Sequence, residues 1–364
     1  MLRNLLIAVI VCALIFTAYK LIGGGGGGDS GGQPCEIEGN KVVRIPNLKY
    51  SNKYFLCDYY IKTSYNSCCI GDFKHDYVKL CALSHAIAQG CRCLDFEIYS
   101  IGGIAQIASS SRESSFEKES KNHIPFSLVM KRVLDEGFNA AKTPMSADPL
   151  IINLRIKAVD PAVRKSLHAS IAIGLGSIGR YLLQTAESAD VSKMKMEDLM
   201  GTIIVMVDGT TTGGKEIESD SPLKPLVNIH SGKGLMGVQA LRNTELDSQY
   251  NEDTFKEANR VSLAIMYPDL QQKSKNQNPA LGREYGCQMV AMNFQNYDEH
   301  LIGYTNFFND GGGAFILKEN EEKLHPEDVV IQPADTKGRT ATQNIGIDGS
   351  KQRLLEMERK LNPS

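Results

Sequence analysis

The chain has 364 residues, a net charge of −2, 42% hydrophobic residues and 23% charged ones. That length holds either two domains or one α/β barrel of about 250 residues with tails. The near-neutral balance supplies no field to draw in a polyanion, which argues against nucleic acid as a partner.

Leu5 to Ala18 carries no charge and follows Arg3. Continued through Tyr19, a snorkelling Lys20 and Leu21-Ile22, the run reaches the roughly 18–20 residues of a spanning helix. A cleaved signal peptide is the competing reading, because the run is short. No clear small-x-small cleavage site follows, and Tyr19-Lys20 suits an interface, so the expectation is an uncleaved single-pass anchor over residues 1–22. Gly23 to Gly28 are consecutive glycines and open a flexible linker, 23–40, that would hold the rest near a bilayer without fixing its orientation. A lipid membrane is therefore the expected partner and location.

Beyond residue 41, short β-rich runs alternate with helical patterns, which predicts a parallel α/β sheet. Candidate strands are Phe55–Lys62, Arg92–Tyr99, Ile104–Ala108, Leu150–Ile156, Thr202–Asp208, Leu226–His230, Val261–Met266 and Met289–Phe294. Tyr77–Gln89 and Phe126–Ala141 space apolar residues at three and four, as helices with one buried face do. Asp160 suits an N-cap and Pro161 a first helical position for a helix running to about Thr185. Eight such strands fit a closed (β/α)8 barrel. The polar, Gly/Pro-bearing segment 209–225 reads as the connection between its halves, 41–208 and 226–320. The charged tail, 321–364, ends in a stretch, Gln352–Leu361, suited to an exposed helix.

Nine cysteines are present; Cys12 lies in the apolar run, seven cluster from Cys35 to Cys93, and Cys287 stands apart. None has CxxC zinc spacing. Cys91 and Cys93 are expected as small core fillers in a strand, with disulfides as the alternative in an oxidising compartment. Gly102-Gly103 and Gly311–Gly313 read as turns, because no helix with GK[ST] follows. His75, His85 and His168 fall in helical or pre-helical stretches and read as packed or surface residues. In a barrel of this type chemistry belongs at the carboxyl ends of strands, which singles out Asn66, Asp95, Glu97, Arg155, Asp208, Tyr267 and Gln295.

Several segments resemble the phosphoinositide-specific phospholipase C family. Thr63–Asp72 (TSYNSCCIGD) is similar to the first signature of its X region, Gly90–Glu97 (GCRCLDFE) to its GCRCxExD strand, and Asp148–Arg155 (DPLIINLR) to its strand ending in PxxLSLE. Gly286–Gln295 (GCQMVAMNFQ) and Asn309–Lys318 (NDGGGAFILK) resemble segments of the Y region. The resemblance covers about residues 45–320 in the right order. It implies a TIM-type (β/α)8 barrel built from an X-like half, 41–208, and a Y-like half, 226–320.

What the resemblance implies about chemistry is mostly negative. The family cuts a phosphodiester with two histidines as general acid and base. The first falls on Tyr65, and the region of the second, Ala108–Lys121, is serine-rich and holds no histidine; His123 is nearest and sits before the next helix. A phenol with a pKa near 10 is a poor proton shuttle at neutral pH. Of the family's calcium ligands, Asn66 is kept, Asp95 and Glu97 keep two carboxylates with types exchanged, and the remaining Glu is replaced by Arg155. An ion pair of Arg155 with Asp95 or Glu97 would fill the cation's place, with Arg92 as another candidate partner. Some bacterial relatives use an arginine instead of calcium, so Arg155 alone would not end catalysis. Headgroup-binding cations of the family fall near Met206 and Asp208 and on Ile265, while Tyr267 is kept. The expectation is a membrane-anchored, catalytically inactive phospholipase C-like protein acting as a structural or interaction module. It has no cofactor unless Asn66, Asp95 and Glu97 hold calcium, and its setting is a virion or an endomembrane. The alternatives are an active phosphodiesterase with an altered site and a lipid-headgroup binder without turnover.

Overall fold

The computed structural model describes residues 53–319 apart from 113–115, 187–188, 234–236 and 250, together with residues 37, 50 and 323. The expected anchor, most of the linker and the charged tail lie outside the described residues. Among those described, no helix is long and apolar enough to cross a membrane.

The strands are β1 (Tyr59–Ser64), β2 (Cys93–Ile101), β3 (Ile104–Ile107), β4 (Ile124–Pro125), β5 (Leu150–Lys157), β6 (Ile203–Asp208), β7 (Ile229–Ser231), β8 (Gln239–Arg242), β9 (Ala264–Tyr267), β10 (Met289–Met292) and β11 (Phe315–Leu317). The helices are α1 (Leu80–Ala88), α2 (Phe126–Gly137), α3 (Pro161–Gly176), α4 (Met196–Leu199), α5 (Asn243–Gln249), α6 (Glu252–Val261), α7 (Pro279–Glu284) and α8 (Glu299–Asp310). Eight strands run parallel in the order β7-β6-β5-β2-β1-β10-β9-β8. A parallel bridge between Gly232 and Gln239 brings the two edges together, so the sheet is a nearly closed α/β barrel of the TIM type.

One expected strand changes place and one stave was not expected. Ile104–Ala108 is not a barrel stave: β3 folds back antiparallel on β2, pairing Ile98 with Ile107 and Ile101 with Ile104. Gly102 and Gly103 make that reversal with φ of 62° and 75°, the two positive values a tight hairpin turn requires. The missing stave is β8, a four-residue run whose alternation is too brief to stand out from a loop. At the start of the body, residues 56–58 form a 3-10 turn instead of strand. Asp58 bonds back to the Phe55 N–H there (2.8 Å), so β1 begins only at Tyr59.

Asp160 caps α3 as expected, accepting from the N–H groups of Ala162 and Val163. That helix stops at Gly176, short of Thr185. α2 and α3 pack closely: a Cβ on Gly174 would lie 2.5 Å from the Phe126 ring. The base of the barrel is closed by side chains that serve backbone carbonyls. Gln288 Nε2 donates to the carbonyls of Cys57, Asn259 and Ser262, and Lys318 Nζ to that of Gly286. Cys91 and Cys93 are free, buried thiols, as are Cys57, Cys68, Cys69 and Cys287. Cys81, at the start of α1, is disulfide-bonded.

Candidate functional site

Register assembles the mouth of the barrel. In the parallel pair β2–β5, Asp95 lies beside Asn153, Glu97 beside Arg155 and Tyr99 beside Lys157. Side chains two apart on a strand share a face, so Asp95 and Glu97 meet Asn153, Arg155 and Lys157 at the carboxyl ends. Asn66 joins them from the turn after β1. It holds a left-handed φ of 42°, a conformation asparagine tolerates better than most residues. There its N–H donates to Asp95 Oδ2 (3.0 Å).

Arg155 is the hub. Its Nε donates to Asp95 Oδ1 (2.9 Å), Nη2 to Asp95 Oδ2 (2.9 Å) and Asn66 Oδ1 (2.8 Å), and Nη1 to Glu97 Oε1 (3.0 Å). The paired arrangement on Asp95 is the bidentate fork that suits guanidinium to carboxylate. Lys157 adds a second cation 3.0 Å from Glu97 Oε1, and the Ser110 N–H donates to Glu97 Oε2 (2.9 Å). Asn153 Nδ2 bridges Asp95 Oδ1 and the Tyr267 hydroxyl, both at 2.8 Å. Burial alone would raise the Glu97 pKa, but Lys157 and Arg155 outweigh it and hold the carboxyl below the usual range.

The aromatic residues stack on this hub. The Arg155 guanidinium lies 4.5 Å from the Tyr65 ring centre and 5.5 Å from that of Tyr267. Arg242, at the end of β8, faces the same two rings and donates to the Tyr65 hydroxyl (3.1 Å) and the Pro268 carbonyl (2.8 Å). Tyr65 is 4% exposed, and burial pushes its phenol pKa upward, away from neutral proton transfer.

Loops then close over the top. The Phe73 N–H donates to the Gln272 carbonyl, Ser109 Oγ to the Phe73 carbonyl, and the His75 N–H to the Glu119 carbonyl. Lys273 and the Ser274 N–H both reach Asp72, and Gln295 Nε2 reaches the Gly71 carbonyl. The β1–α1, β3–β4 and β9–α7 connections are thus laced to one another above Tyr65. Asn66, Asp95, Glu97, Arg155, Lys157, Arg242 and Tyr267 are all buried beneath them.

The sequence-derived residues separate cleanly. Asn66, Asp95, Glu97, Arg155, Tyr65 and Tyr267 converge, while Asp208 turns to Thr210, accepting from its N–H and hydroxyl. Arg92 serves the far end of β2 instead, donating to the Gly137 carbonyl and Thr143 Oγ1. Met206 and Ile265 are buried strand residues. His123 precedes β4, and His168 lies on the buried face of α3 with Nε2 2.8 Å from the Gly213 carbonyl. Four members of the site were not foreseen: Lys157, Asn153, Arg242 and Ser110. Lys157 carried a usable signal, since it lies two residues beyond Arg155 on one strand.

Calcium binds through six to eight oxygens. Here the oxygens of Asn66, Asp95 and Glu97 are already engaged by the guanidinium, by Lys157 and by neutral N–H donors. That donor set does not fit a divalent cation beside Arg155.

An eight-stranded parallel barrel with a charged cluster at the carboxyl ends of its strands defines a TIM-barrel protein. Residues 231–321 match the sequence model described as "Phosphatidylinositol-specific phospholipase C, Y domain". The fold is similar to the crystal structure of S. officinalis PLC21, with a TM-score of 0.64 at 18% identity over 79% of this chain. L. pealei PLC21 gives 0.63 at 20% identity over the same share. The match spans 40% of the length of each of those two proteins. No curated protein sequence matches the chain. Residues 231–321 thus resemble a phospholipase C Y domain, and the barrel as a whole shares its fold with these two proteins.

Proposed function

We propose that this phospholipase C-like barrel is catalytically inactive and serves as a structural or interaction module at a membrane. The observation that carries the reading is the buried phenol of Tyr65 at the position of an acid/base imidazole, stacked on an Arg155 that is itself locked by hydrogen bonds among Asn66, Asp95 and Glu97. A guanidinium there is a fixed internal counter-charge. It satisfies the carboxylates that would otherwise bind a cation or take up a proton.

Acid/base chemistry needs a group that titrates near the working pH within hydrogen-bonding reach of substrate. The buried phenol of Tyr65 is raised away from that range. The side chains that hydrogen-bond Arg155 are those of Asn66, Asp95 and Glu97, none of them an imidazole. The laced loops deepen the argument, because an inositol ring would have to displace them to reach Asp95. The membrane component of the reading rests on the uncharged run Leu5 to Ala18.

The test is release of soluble inositol phosphate or diacylglycerol from phosphatidylinositol vesicles by the purified protein, with and without calcium. No release above the vesicle blank is expected, and Tyr65→His alone restores none because one imidazole cannot supply both proton transfers. Turnover by the wild-type chain would overturn the proposal.

A further inference from the structure

The β3–β4 connection holds a second charged assembly at the rim, which shares Ser110 with the Arg155 cluster through the Ser110 N–H on Glu97. Glu119 Oε2 accepts from the Ser111 N–H (2.8 Å), Ser111 Oγ (2.5 Å) and Ser110 Oγ (3.2 Å). Oε1 accepts from Arg112 Nε (3.2 Å) and Nη2 (3.0 Å), with Lys74 Nζ 3.5 Å away. Five hydrogen bonds, three on Oε2 and two on Oε1, with Lys74 as a further ion-pair partner, exceed the roughly four lone-pair positions a carboxylate offers. Two cations also face a single negative charge.

Both mismatches have the same sense: the donors suit an anion with more oxygens and more charge than Glu119 provides. A phosphate monoester supplies three terminal oxygens and close to two negative charges at neutral pH, and serine N–H and hydroxyl donors beside an arginine are typical phosphate partners. The cradle is open to solvent on its cationic side. The Arg112 side chain is 65% exposed and that of Lys74 25%, whereas that of Glu119 is 8% exposed.

We propose that Ser110, Ser111, Arg112 and Lys74 form a binding site for a phosphate monoester, occupied in this structure by Glu119 as an intramolecular stand-in. A tethered carboxylate competes at an effective concentration of order millimolar or above, so the site opens only to a ligand that outbids it. Glu119 is thereby an autoinhibitory contact on the rim. The serine-rich segment, which matches no catalytic need, gains a role.

Calorimetry of the full chain with inorganic phosphate tests the site directly. Glu119→Ala empties the cradle and is expected to bind phosphate about tenfold or more tighter than wild type. The gain disappears when Arg112→Ala is added. Equal affinity in wild type and Glu119→Ala overturns the proposal. Glu119→Gln, which keeps the shape and removes the charge, covers the case in which the alanine variant does not fold. Phosphate then raises its thermal midpoint more than that of wild type, and an equal rise overturns the proposal. Sedimentation with phosphatidylcholine vesicles, with and without phosphatidic acid, separates the sources. Extra binding of Glu119→Ala to the phosphatidic acid vesicles assigns the site to a lipid headgroup. Phosphate binding without that preference assigns it to a soluble phosphate monoester.

Discussion

Arg155 satisfies two carboxylates that would otherwise repel each other inside the barrel. A buried pair broken on one side leaves an uncompensated charge, which costs about 3–5 kcal/mol. Arg155→Met should therefore lower stability by about that amount in urea unfolding, while a loss below about 1 kcal/mol would mean the network is solvated like a surface pair. Glu97 gives the matching pH prediction. Its folded pKa lies below the usual carboxylate value, so its stabilising effect is complete above that value and is lost as pH falls through the lowered one. The stability gap between wild type and Glu97→Gln should shrink as the solution is acidified through this window; a gap independent of pH would refute the assignment. At this scale the sequence was informative wherever residue type and motif position coincided, as at Asn66, Asp95, Glu97 and Arg155. Arg242 was out of reach, because its meaning depends on β8 ending beside β9, with Tyr267 at the same level.

Among the elements, long periodic segments were legible and short ones were not. α3 shows both sides: its start was set by Asp160 and Pro161, local chemistry that any sequence displays, whereas its end at Gly176 has no comparable signal. Asp160→Ala should cost about 1 kcal/mol in thermal or urea unfolding by removing the acceptor for two N–H groups, and no measurable change would show the cap to be replaced by water. Gly174 is the other informative position. A methyl group there meets the buried Phe126 ring at 2.5 Å, so Gly174→Ala should destabilise by about 1–3 kcal/mol through overpacking, although alanine is the better helix former. A stabilised variant would mean the two helices separate freely. β3 illustrates the opposite failure: its composition is that of a barrel strand, and only the paired glycines before it disclose the hairpin.

For the molecule as a whole, alternation of strands and helices was enough to predict a parallel barrel. The closure of the mouth was not legible. It depends on hydrogen bonds between loops far apart in sequence, such as Phe73 with Gln272 and Asp72 with Lys273, whose polar residues read separately as solvated turns. Loops laced in this way close the barrel over the Arg155 cluster. Calcium titration by calorimetry tests most directly the proposal that Arg155 fills the place a cation would take. A guanidinium fixed among Asn66, Asp95 and Glu97 predicts no saturable calcium site of millimolar affinity or tighter, and a saturable site with a dissociation constant in the micromolar range would contradict it.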